Sequence, residues 1–85
     1  MVRRSRVEII ADILKTAIEG SNKTRLVYST NINFKVLNEN LELLVERGFI
    51  EVLGRRFYTT ESGLEFLRIY EKMRGLLDLE RIKLY

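Results

Sequence analysis

Gly54 is followed by two adjacent arginines, Arg55 and Arg56, between the strand-favouring runs FIEVL and RFYTT. A hairpin tip needs polar residues, but it does not need two fixed positive charges. A guanidinium presents five donors in a planar fork that matches phosphate or carboxylate oxygens, so the pair reads as a contact for an anion. Further cationic groups occur at Lys23 and Arg25, and at Arg3, Arg4 and Arg6. The last three open a predicted helix, where cations oppose the macrodipole. That unfavourable placement points to an external anion, or else to a solvated, fraying terminus.

The chemistry that is missing narrows the choice. The chain has no histidine and no cysteine. It therefore lacks the usual general base, any thiolate metal site and a cysteine nucleophile. There is no glycine-rich phosphate loop and no nucleophile–base spacing, so an enzyme is not expected. No metal, cofactor or small-molecule ligand is expected either. The start, MVRRSRVEII, has neither a long apolar run nor a small-residue cleavage site. No stretch approaches the ~20 apolar residues that span a bilayer, so the expected location is the cytoplasm, without membrane contact.

The elements that must position these charges can be read from periodicity. With 85 residues, 46% hydrophobic and 32% charged, the chain suits one small soluble domain with a single core. A core of this size is marginal alone, which favours oligomerisation. SRVEIIADILKTAIEG reads as a first helix, with a Ser5–Glu8 capping box, an apolar face of Ile10, Ile13, Leu14, Ala17 and Ile18, and Gly20 as its stop. SNKTRLVYSTN supplies a cap at Ser21 or Asn22 and about two turns of helix, with Leu26 and Val27 inward, Tyr28 beside them and Asn31 at the end. NFKVLNENLELLVERG is a third helix, capped by Asn33, with Phe34, Leu37, Leu41 and Leu44 in its apolar stripe and Gly48 closing it. Tyr28 and Phe34 are expected to pack in or beside the core.

FIEVL and RFYTT then form a hairpin. Thr60 caps a last helix running from Glu61 to near the C-terminus. Its apolar residues cover more than one face. Phe66, Ile69, Met73 and Leu76 have seam-like 3-4-3 spacing, with Tyr70 and Leu77 on an adjacent face. Gly63, in the first turn, is expected to allow close approach of this helix to the core.

Helix, short helix, helix, hairpin, long helix is the order of a winged helix-turn-helix domain. The expected fold class is mainly α with a small β-hairpin (α+β). The winged domain would occupy residues 1–63, and a C-terminal dimerisation helix of the same compact unit residues 64–85. In such a fold the hairpin is the wing, and residues 33–47 form the recognition helix.

The stretches RSRVEIIADILKTAIEG, KTRLVYSTNINFKVLNENLELLVERGFIE and YTTESGLEFL resemble a family of small archaeal winged-helix proteins. The likeness covers about residues 3–70. The family includes predicted transcriptional regulators and chromatin-associated DNA-binding proteins. In the chromatin type a long C-terminal helix pairs antiparallel with its partner, and the resemblance implies the same for residues 64–84.

The partners implied are double-stranded DNA and a second copy of the chain, with nucleoid association in the cytoplasm. The expected DNA-binding residues are Arg3, Arg4, Lys23, Arg25, Asn33, Lys35, Asn38, Arg55 and Arg56. The wing tip, residues 54–56, would meet phosphate or minor groove, so removing both arginines would lower the salt slope by up to ~2. The expected dimer residues are Phe66, Ile69, Tyr70, Met73, Leu76 and Leu77. One feature runs against this reading. Glu39 and Glu42 on the recognition helix would repel phosphate, although glutamate can accept from cytosine. Together with a net charge of only +3, they support the alternative of a protein-interaction module without DNA.

Overall fold

Six elements follow one another in the expected order in the computed structural model, which describes residues 5–77. They are α1 (Arg6–Thr16), α2 (Lys23–Thr30), α3 (Phe34–Glu46), β1 (Ile50–Leu53), β2 (Arg56–Thr59) and α4 (Glu61–Leu76). Each helix begins at a side-chain cap. Ser5 and Glu8 form the reciprocal capping box of α1. Asn22 Oδ1 accepts from the Arg25 N–H at the start of α2, and Asn33 Oδ1 from the Val36 N–H at the start of α3. Thr60 Oγ1 accepts from the Gly63 N–H and donates to the Gly48 carbonyl, so one hydroxyl starts α4 and holds the end of the preceding loop.

Between α2 and α3 the chain turns through Asn31, the one non-glycine residue among those described with a positive φ, at 56°. Asparagine tolerates this left-handed geometry because its short amide can bond locally. The turn brings α2 against α3, and α2 rests on α1. Their shared core is Ile10, Ile13, Leu14, Ala17, Leu26, Leu37, Leu41 and Leu44, closed by Ile50, Leu67 and Tyr70.

The strands pair antiparallel with Leu53 opposite Arg56, leaving Gly54 and Arg55 as a two-residue loop. Gly54 has φ 64° and Arg55 does not share the positive sign. That is the arrangement of a II′ turn, whose twist matches the hairpin. Ser21 adds a bridge to Phe57, so the connection between α1 and α2 borders the wing.

Two expectations change at the first helix. It ends at Thr16, not at Gly20, and Ile18 is exposed rather than part of the core face. The hairpin explains this: Ala17 O accepts from Thr59 N–H, and Ser21 exchanges two bonds with Phe57. These partners compete with further helical bonds, and the chain leaves the helix to meet the strand. Gly63 behaves as expected. A Cβ there would collide with the Phe49 carbonyl oxygen and with Thr59 Cγ2, so only glycine lets α4 cross so close.

Candidate nucleic-acid interface

Lys23 stands at the junction of the polar elements. It is the first residue of α2, behind the Asn22 cap, and it is exposed. One groove joins it to Asn38, Leu41, Glu42, Val45 and Glu46 of α3. A second depression joins it to Gly54 and Arg55 at the wing tip. Phe57 floors both. The surface therefore runs from the middle of α3, over the start of α2, to the tip of the hairpin. No acidic residue lies in the first turn of α2 or of α3. The positive end of each dipole is thus unopposed by a local carboxylate.

The two arginines of the wing have different jobs. Arg56 Nη2 donates to the Gly20 carbonyl at 2.9 Å. This ties β2 to the turn after α1 and fixes the angle of the wing. Arg55 makes no hydrogen bond or ion pair among the described residues, and it is exposed at the tip. Arg25, two residues beyond Lys23, lies on the other side of α2. It lines a separate depression with Ile18, Glu19 and Ser29. Lys35 is exposed in the first turn of α3. Arg3 and Arg4 lie outside the described residues.

The three asparagines of the helix and its cap divide in the same way. Asn33 uses its amide oxygen to cap α3. Asn40 is buried, donating to Val36 O at 2.8 Å and accepting from Arg6 Nε at 3.1 Å. Asn38 is exposed and has no partner among the described residues. Arg6, grouped by sequence with Arg3 and Arg4 as an anion contact, is instead a strut from the start of α1 to α3. The signal for Asn40 was available: it interrupts the apolar spacing Leu37, Leu41, Leu44. Its partner, 34 residues away, was not.

Two aromatic residues expected to pack against the core face outward. Tyr28 is 81% exposed on α2 and Phe34 is 49% exposed at the first position of α3. Phe34 has the right spacing for the stripe, but a helical side chain leans toward the preceding turn. At the first helical position no such turn exists to cover it. Glu39, Glu42 and Glu46 are exposed further along, and Glu42 and Glu46 share the groove with Lys23.

On the opposite side, α4 packs on α1 and touches β2. Leu67 and Tyr70 are buried in the protomer's own core. Phe66 sits between Phe49, at 5.6 Å between ring centroids, and Tyr70, at 6.4 Å and nearly parallel. Arg74 lies over the Tyr70 ring at 5.8 Å. Tyr70 and most of Phe66 are thus engaged within the protomer, unlike the rest of the expected dimer set. Ile69, Met73, Leu76 and Leu77 are 47–73% exposed with nothing over them among the described residues. The expected helix beyond Leu77, including Leu79, Ile82 and Leu84, lies outside the described residues.

Among the described residues no group of acidic side chains could hold a metal ion. No helix among them is long and apolar enough to cross a membrane.

Known proteins resemble the chain in sequence and in fold. The uncharacterised protein MJ0287 of Methanocaldococcus jannaschii is 29% identical over 82 residues, which are 95% of this chain and 81% of that protein. The crystal structure of Sso10a-2, a DNA-binding protein from Sulfolobus solfataricus, is similar with a TM-score of 0.65 and 26% identity. That match covers 94% of this chain and all of the other. The family model described as winged helix-turn-helix matches residues 3–78. The chain belongs to the winged helix-turn-helix family.

Proposed function

We propose that the chain binds duplex DNA as a homodimer, with the N-terminal half of α3 in the major groove and the wing along the backbone. The observation that carries this reading is the position of Lys23, which borders both Asn38 of α3 and Arg55 of the wing. In this reading Lys23 and Arg55 follow one phosphate strand while α3 faces base edges. The similarity to a protein described as DNA-binding supports the DNA-binding part of this reading. Dimerisation rests on the bare ridge of Ile69, Met73, Leu76 and Leu77, whose exposure would be costly in a monomer. A cytoplasmic, nucleoid-associated location follows from such a ligand.

The role is that of a transcriptional regulator or a chromatin architectural protein. Sequence-independent binding marks the second, and a palindromic site spaced by the dimer marks the first. The acidic side of α3 favours a second reading, a protein-interaction module, because Glu42 and Glu46 reduce the positive potential around Lys23. Titration of random duplex DNA at several salt concentrations separates the two. Affinity falling linearly on logarithmic axes, with a slope of several units, supports DNA binding. Absence of binding at low salt leaves the interaction module.

A further inference from the structure

The bonding of the three asparagines singles out one of them as a reader of bases. An asparagine recognises adenine through two bonds, donating to one ring-edge acceptor and accepting from the exocyclic amine. It needs both ends of its amide free. Asn33 has its oxygen on the Val36 N–H, and Asn40 has both ends engaged, with Val36 O and Arg6. Asn38 keeps both ends free among the described residues and is exposed in the groove beside Lys23.

Phe34 lies four residues before Asn38. Residues at that spacing are neighbours on one helix face, with Cβ atoms about 5–6 Å apart. Phe34 is 49% exposed at the tip of the helix that would enter the groove. A half-bare aromatic ring is an awkward group to place among phosphates. It has one good partner in a major groove, the C5-methyl group of thymine. Adenine and thymine are each other's complement, so an amide for one and a ring for the other, side by side, select the same base pairs. Lys35, exposed in the same first turn, adds a positive charge beside them.

We infer that Phe34 and Asn38 form a reading pair for A·T steps in the major groove, Phe34 on thymine methyl and Asn38 on adenine. The inference rests on the DNA-binding reading above and gives it a base preference.

The test compares three duplexes of equal length: one rich in A·T pairs, the same sequence with deoxyuridine for every thymine, and one of G·C pairs. Deoxyuridine removes the methyl and leaves the pairing edge intact. The full chain is expected to bind the thymine duplex about fourfold more tightly than the uracil duplex for each methyl covered, the factor given by ~0.8 kcal/mol per buried methyl-sized group. Phe34→Ala is expected to abolish that ratio, and Phe34→Leu to keep part of it. Asn38→Ala is expected to retain the thymine-to-uracil ratio while reducing the preference for A·T over G·C to the part that the methyl supplies. Thermal melts of each variant identify loss of fold, and Phe34→Leu keeps the question answerable if Phe34→Ala does not fold. Equal affinity of the unmodified chain for thymine and uracil duplexes overturns the inference and leaves DNA binding intact. So does a ratio unchanged in both Phe34 variants. Failure to bind any of the three at low salt overturns the DNA-binding reading itself.

Discussion

The leading face of α2, α3 and the wing and the outer face of α4 are both bare, but they are built from opposite materials. The first carries Lys23, Lys35, Asn38 and Arg55, with the apolar groups of Phe34, Val45 and Leu53 exposed among them. The second is made of Ile69, Met73, Leu76 and Leu77. A charged face is well solvated in the free protein, so it can acquire and release a polyanion. An apolar ridge gains about 25 cal/mol for each Å² it hides from water, so it favours a lasting cover. On the proposed reading, the difference would separate a face for a transient ligand from a face for a standing partner. The inner side of α4 shows the contrast again, since Leu67 and Tyr70 are covered by the same chain.

The largest effect should come from charging the apolar ridge. Met73→Glu with Leu76→Glu is expected to turn a dimer into a monomer while the domain still folds, because neither residue belongs to the core. Sedimentation read beside far-ultraviolet circular dichroism measures both. A double variant that still sediments as a dimer would place the interface on another face.

A smaller effect sharpens the other side of the comparison. Arg55→Ala is expected to lower the salt slope of DNA binding by about 1, the share of a single phosphate contact. Arg56→Ala should leave the slope nearly unchanged per folded molecule. It should instead lower the melting temperature, because the Gly20 carbonyl loses a donor whose net worth is ~1 kcal/mol. Equal slope losses for the two variants would show that Arg56 reaches DNA in spite of its internal bond. The two adjacent charges of the wing would then act as one unit, as their sequence alone suggests.

The smallest effect concerns the way α4 is held to its own domain. Lys15 Nζ lies 2.6 Å from Glu71 Oε2, joining α1 to α4. The hydrogen bond from Lys15 is the chief cause that lowers the pKa of Glu71 below its ordinary value of 4.5. A carboxylate lowered on folding stabilises the fold above its unfolded pKa, and that gain fades as pH falls through the folded value. Both partners are nearly half-exposed, so the pair contributes at most about 1 kcal/mol. Glu71→Gln is therefore expected to melt slightly below the parent chain at pH 7 and level with it well below pH 4.5. A gap that persists unchanged in acid would mean that the glutamine disturbs packing and that the ion pair contributes nothing.

Much of the fold was legible because its signals are local. Caps at Ser5, Asn33 and Thr60, the left-handed stop at Asn31 and the two-residue loop at Gly54 depend on neighbours within a few positions. The early end of α1 was not legible, since the groups that draw the backbone away from the helix arrive from β2, some forty residues later. The candidate interface was legible only as a set of charge clusters. Sequence grouped Arg55 with Arg56, Lys23 with Arg25, and Arg6 with Arg3 and Arg4. In the structure Arg56 and Arg6 are tied to distant backbone and amide groups, and Arg25 turns to another face.

By itself, then, the chain determined its elements, their order, and the total of apolar and basic side chains available. Helical and strand periodicity, capping and turn chemistry act over short separations and need no partner from afar. Only the tertiary structure decided which of those side chains remain free. It left Arg55, Asn38 and Phe34 outside, and it engaged Arg56, Asn40 and Tyr70 within. The physical reason is that a donor, an amide or a ring is available to a ligand only if no internal partner has taken it. That depends on contacts between residues far apart in the chain.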